Sequence, residues 1–139
     1  MDTADPDTHK TEVDLDIRVR DLLGRMTLIE KIGQMSQVNG GYAALADDIR
    51  CGSIGSIINE VDIDTVNNLQ RIAVQESRLG IPLLVGRDVI HGFKTIFPIP
   101  LGQAATWNPD LVQASARVAA LEASTAGVNW TFAPMIDVT

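Results

Sequence analysis

Three short runs in this chain are of β type, one of them nearly continuously apolar, and stretches of helical periodicity separate them. The runs are Ser53-Ile54-Gly55-Ser56-Ile57-Ile58, Pro82-Leu83-Leu84-Val85-Gly86 and Val128-Asn129-Trp130-Thr131-Phe132-Ala133. A strand with one wet face alternates apolar and polar residues, whereas continuous hydrophobicity belongs to strands covered on both faces, as in a parallel sheet. Between the first two runs, Asp64 is expected to cap a helix that carries Val66, Leu69, Ile72, Ala73 and Leu79 and that Gly80 closes. Between the second and third, Asn108-Pro109-Asp110 supplies an N-cap, a proline at the first helical position and an acid near the positive helix end. That helix is predicted to run through Leu111, Ala116, Val118, Ala119 and Ala123 to Gly127. A β-α-β-α-β order winds right-handed into a parallel sheet.

Ahead of this unit the pattern is helical. Residues 1–16 are acidic, Thr-rich and poor in large apolar groups, and are expected to be disordered. Order is expected from Ile17, whose spacing to Val19, Leu22, Leu23 and Met26 fits a helix face. Thr27-Leu28-Ile29-Glu30 reads as a capping box opening a second helix, with Leu28, Ile32 and Met35 as its buried stripe. A short helix from Ala43 to Arg50 ends at Gly52. Two architectures contain such an order: a small doubly wound domain and part of a (β/α)8 barrel. A complete barrel takes about 250 residues, so 139 residues are too few to close one. The chain also stops just past its third run, with no helix to cover it. The expectation is an α/β fold holding the first strands and helices of a barrel.

Composition excludes more than it selects. A formal net charge of -7 disfavours nucleic acid and anionic lipid, both of which need clustered Lys and Arg. Cys51 is the single cysteine, so no internal disulfide forms, and its neighbours Ile49 and Ile54 suggest a small buried residue. No run approaches the roughly 20 apolar residues of a membrane span. The opening residues lack a signal-peptide core, so the chain as written is expected to be cytoplasmic; a signal upstream would make it periplasmic or secreted.

In parallel α/β folds, chemistry gathers at the carboxyl ends of strands. Asn59 and Glu60, Arg87 through His91, and Pro134 through Asp137 occupy such places. The second is the most informative, because Arg87, Asp88 and His91 set a cation, a carboxylate and an imidazole within five positions. The following connection, His91 to Trp107, is long and apolar, as a pocket wall would be. The Asp88 carboxylate can accept from two adjacent hydroxyls of a pyranose ring, or it can cap a turn or pair with Arg87. His91 can be a ligand, a base or a packed structural residue, and Arg87 a partner for a neighbouring acid or a substrate clamp. Helix capping accounts for Glu60, Asp62 and Asp64, while Trp107 and Trp130 can stack on sugar faces but are expected in the core. The Asn129-Trp130-Thr131 sequon lies in an expected buried strand. Nucleotide loops, zinc spacing, calcium loops and the nucleophile elbow are all absent from the sequence.

Residues 25–35, from Arg25-Met26-Thr27 to Gly33-Gln34-Met35, resemble the opening helix of family 3 glycoside hydrolases. Gly52-Ser53-Ile54-Gly55-Ser56 resembles that family's first strand. Ser77 to Leu84, then Gly86-Arg87-Asp88-Val89-Ile90-His91-Gly92, resembles its second strand and sugar-contacting turn. Thr95 to Gly102, Ala105 to Leu111 and Trp130 to Val138 continue the likeness in order, so that it spans residues 17–139. In the N-acetylhexosaminidase branch an Asp-Gln-Glu-Gly-Gly type turn replaces the 87–92 segment, so the chain resembles the β-glucosidase branch.

The resemblance implies retaining hydrolysis of O-glycosyl bonds, releasing terminal β-D-glucose from a β-glucoside or oligosaccharide, with no metal or organic cofactor. It also implies that Asp88 holds hydroxyls of the nonreducing sugar, with Arg87 and His91 at or behind the pocket. The family's nucleophile and acid/base lie on later segments that this chain does not contain, so no catalytic residue is assigned. By the same likeness, the C-terminal part of the barrel and a second domain are the missing partners, and the chain alone is expected to be inactive. The rival reading is a non-catalytic sugar-binding half barrel, dimeric if it rebuilds a closed barrel.

Overall fold

A computed structural model describes residues 6–40 and 43–136 of the chain. Helix α1 covers Pro6–Arg25 and α2 covers Leu28–Gln34. Strand β1 is Gln37–Asn39. A 3-10 turn at Ala43–Leu45 leads into α3, Ala46–Arg50. Strand β2 (Ser56–Ile58), helix α4 (Ile63–Gln75) and strand β3 (Leu84–Arg87) follow. The chain continues with α5 (Pro100–Ala104), α6 (Pro109–Thr125) and β4 (Trp130–Thr131). The four strands form one sheet in the order β1-β2-β3-β4, and every pairing is parallel. Strand order that follows chain order, with helices between strands, is the opening arc of a (β/α)8 barrel.

The expected elements are present with four differences. A strand stands ahead of the three runs: β1 is three residues long, begins and ends on polar Gln37 and Asn39, and among the described residues pairs on one edge only, so no hydrophobic run marks it. The helix before the capping box begins at Pro6 rather than Ile17, so part of the stretch expected to be disordered is helical; proline is well suited to a first helical turn. Asp62, not Asp64, caps α4, its carboxylate accepting from the Thr65 amide at 2.8 Å. The long connection after His91 contains α5, opened by Pro100.

The main core lies between α3, α4 and one face of the sheet. Ile49, Ile57, Leu69 and Val85 are fully enclosed there, beside Val66, Ile72 and Leu83. Strand alternation sends Val85 into this core and Leu84 to the opposite face, where it is 48% exposed. On that second face Phe132 covers Gly86 and Ser56 is buried, whereas Leu84 stays open among the described residues. A smaller cluster of Val89, Ala119, Ala123 and Val128 seats α6 against the chain leaving β3. Asn129 explains the shortness of β4: its amide donates to the Val85 carbonyl at 3.1 Å and its Oδ1 accepts from the Val85 amide at 2.7 Å. Backbone and side chain of this one residue thus complete the ladder before the strand begins.

Helix α2 is fixed by polar and steric contacts rather than by its apolar stripe. The Thr27–Glu30 capping box is complete: the Thr27 amide donates to Glu30 Oε2 at 2.8 Å, and the Glu30 amide donates to Thr27 Oγ1 at 3.2 Å. Arg78 joins it from beyond α4, with Nε donating to Glu30 Oε1 at 2.9 Å and Nη2 donating to the Arg25 carbonyl at 2.8 Å. Gly33 lies so close to Gly52 that a Cβ there would overlap its carbonyl. Leu28, Ile32 and Met35, expected to be buried, point outward, and Met35 is 79% exposed. The helix is amphipathic as predicted, but its inner face is Glu30 and Gly33.

Candidate functional site

Asp88 is the first residue past β3, at the sheet's carboxyl edge. It is exposed, and among the described residues its carboxylate makes one hydrogen bond, accepting at Oδ1 from the Ile90 amide at 3.1 Å. Oδ2 is therefore open to solvent or a ligand. Arg87, Asp88, Ile90, His91, Gly92, Phe93 and Ile96 line a cavity of about 250 Å³. The three polar residues singled out in the sequence thus share one depression at the barrel rim.

Arg87 does not pair with Asp88. Its Nη1 donates to Asn59 Oδ1 at 2.9 Å, its guanidinium carbon stands 6.0 Å from the Phe93 ring centre, and its Nε is buried without a partner. Asn59 in turn donates from Nδ2 to Asn39 Oδ1 at 2.8 Å. The carboxyl ends of β1, β2 and β3 are thereby linked side chain to side chain. Asn59 adopts a left-handed backbone (φ 70°), a conformation asparagine tolerates better than most residues, while its amide extends the ladder to the Gly86 carbonyl at 3.0 Å. The role of Asn39 is invisible in the sequence, because it depends on the register that places Asn39 opposite Ile58.

His91 is half-buried, its Nδ1 enclosed without a partner, and its carbonyl accepts from the Phe97 amide at 2.7 Å. It opens a tight hairpin that the Gly92–Ile96 bridge closes. Gly92 has φ 116°, and a Cβ there would overlap the Thr95 carbonyl, so the turn requires glycine. Glu122 on α6 holds the hairpin's far end. Its Oε2 accepts from the Lys94 and Thr95 amides, each at 2.8 Å, and its Oε1 accepts from the Thr95 hydroxyl at 2.6 Å. The Thr95 hydroxyl and amide, then the Lys94 amide, keep the Glu122 carboxyl below its ordinary range despite partial burial.

Other candidates fall outside this cavity. Glu60 accepts from the Val61 and Asp62 amides of its own turn, each at 2.9 Å, which accounts for it locally. Cys51 is exposed rather than buried, because the helix it caps turns it away from Ile49 and Ile54. Trp107 is 92% exposed and Trp130 is 39% exposed beside Phe132, so neither is a core residue of this chain. Asp137 lies outside the described residues. No group of three His, Cys, Asp or Glu among the described residues could hold a metal ion. None of their helices is long and apolar enough to cross a membrane.

Residues 27–139 match the family described as Glycosyl hydrolase family 3 N terminal domain. The chain is 42% identical over 127 residues to a periplasmic beta-glucosidase of Salmonella typhimurium, covering 88% of this chain and 17% of the relative. It superposes on a beta-glucosidase of Listeria innocua crystallised with glucose at a TM-score of 0.75 and 33% identity, covering 88% of this chain and 19% of that one. A variant of an exo-1,3/1,4-beta-glucanase from Pseudoalteromonas gives a TM-score of 0.78 at 25% identity, covering 91% and 24%. The chain therefore spans less than a quarter of the length of each of these proteins.

Proposed function

The chain belongs to glycoside hydrolase family 3, and from that premise we propose that it supplies one wall of the glucose site in a longer retaining β-glucosidase. The observation that carries this reading is the placement of Asp88: exposed, past the end of a parallel strand, with one carboxylate oxygen unengaged among the described residues. A carboxylate so placed accepts from vicinal hydroxyls, each charge-assisted bond worth roughly 1.5–3 kcal/mol. Arg87 and His91 flank it and shape the pocket. Residues 17–139 form the N-terminal part of the barrel domain, and residues 1–16 precede it.

Retaining hydrolysis uses a nucleophile and an acid/base about 5–5.5 Å apart. Asp88 is the one carboxylate lining the cavity among the described residues, and the pair is assigned to other parts of the longer protein. The chain's own part is to bind and orient the nonreducing glucose of a β-glucoside or oligosaccharide, and the reading requires no cofactor. The compartment depends on the sequence upstream of Met1: a signal peptide there sends the enzyme to the periplasm or outside the cell, and otherwise it works in the cytoplasm.

The test is to express the full reading frame that contains the chain and assay a chromogenic β-glucoside, with Asp88→Ala beside it. Hydrolysis is expected, and the variant should lose at least about tenfold in kcat/KM while its thermal midpoint stays unchanged. A reading frame that ends at Thr139, giving a stable dimer that binds glucose but hydrolyses nothing, would instead identify a sugar-binding module.

A further inference from the structure

Glu122 does not line the Asp88 cavity, yet it holds the segment that does. His91, Gly92, Phe93 and Ile96 of the lining belong to the hairpin closed by the Gly92–Ile96 bridge. Among the described residues, the side-chain hydrogen bonds that residues 92–96 make with the rest of the protein all end on Glu122. Two backbone amides and one hydroxyl converge on a single carboxylate, so the hairpin tip is located by both carboxylate oxygens at once. The base is firm, because Ala119 and Ala123 seat α6 directly on Val89, the residue after Asp88. Asp88 and His91 are thus bracketed, with Val89 packed on α6 between them and Lys94 and Thr95 bonded to the same helix.

We propose that Glu122 is a positioning residue for the sugar site, setting where His91 and the flank of Asp88 stand by fixing the 92–96 hairpin to α6. The inference rests on the reading of Asp88 as a sugar contact. Loss of the anchor leaves two amides and a hydroxyl to find other acceptors, and the hairpin shifts away from the geometry that receives glucose. Because Glu122 touches no reacting atom, its removal weakens sugar binding more than it slows bond cleavage.

The experiment uses the full-length enzyme carrying this chain, with p-nitrophenyl β-glucoside for KM and kcat and a glucose titration for the dissociation constant. Glu122→Ala is expected to raise KM and the glucose dissociation constant about tenfold. Its kcat should change by less than about threefold. Glu122→Gln, nearly the same shape, should fall between it and the parent, since the amide oxygen still accepts while its nitrogen cannot. Asp88→Ala is measured alongside. Unchanged glucose affinity in both Glu122 variants, with Asp88→Ala weakened, overturns the positioning role and spares the site. Unchanged affinity in Asp88→Ala overturns the sugar site and this inference with it. A fall in kcat at constant KM also overturns the inference, because that pattern marks loss of active protein and not displaced binding groups.

Discussion

At the scale of single residues, glycine positions discriminate most sharply between packing and permissiveness. A Cβ on Gly33 would overlap the Gly52 carbonyl and approach Ser53 Cα to 2.8 Å, both backbone atoms that cannot swing aside. On Gly24 it would meet nothing within 4 Å. Gly33→Ala is therefore expected to lower stability by about 2 kcal/mol, as overpacking does. Gly24→Ala, near the end of α1, should be neutral or stabilising by up to about 1 kcal/mol. Denaturant midpoints of the two variants check the contrast, and equal shifts would contradict the close approach of α2 to the Gly52–Ser53 backbone. At this scale the sequence shows Asp88, Arg87 and His91 together, because they are neighbours in the chain. It cannot show Glu122 or Asn39, whose partners are 27 and 20 positions away. Nothing local distinguishes an anchoring glutamate on a helix from a solvated one.

At the scale of elements, α2 shows how a cap becomes a tertiary tie. Hydrogen bonds from the Arg78 side chain, then the Thr27 amide, lower the Glu30 carboxyl from 4.5 to about 2. A depressed carboxyl stabilises the fold wherever it is ionised in both states. The contribution of Glu30 is thus complete above about pH 4.5 and disappears as the pH falls toward about 2. Unfolding curves between those limits should steepen their loss of stability through Glu30, and Glu30→Gln should flatten that part of the profile. A profile identical in parent and variant would show that Arg78 does not hold the carboxylate in solution. The capping box itself is legible from Thr27 and Glu30, being a local spacing rule. Arg78 is not, and neither is β1, because a three-residue strand with polar ends lacks the period that identifies longer ones. The apolar strands and the proline-opened α6 are legible because their signals span many residues.

At the scale of the molecule, the outward apolar residues carry the argument. Leu28, Ile32 and Met35 on α2, Leu84 on the sheet face away from the core, Leu101 on α5 and Trp107 are all exposed. Periodicity reveals that a helix has an apolar side; it cannot say which body covers that side, and the stripe expected in this chain's core faces outward. Large apolar side chains exposed together on one helix face, as on α2, mark surfaces that meet other protein. The purified chain of 139 residues should therefore bind a hydrophobic dye and self-associate on size exclusion. It should hydrolyse a chromogenic β-glucoside no faster than its Asp88→Ala form, since among the described residues no second carboxylate lines the cavity. Turnover by the isolated chain above that control would refute the proposed division of labour.

The relay from Asn39 through Asn59 to Arg87 has a consequence for how the mouth of the barrel tolerates change. The Asn59 amide spends its nitrogen on the strand before and its oxygen on the strand after, so it cannot flip without breaking both contacts. Replacing Asn39 and Arg87 together should therefore cost a different amount from the two replacements summed, although the two side chains share no hydrogen bond. Sequence drift at these three positions is expected to be concerted.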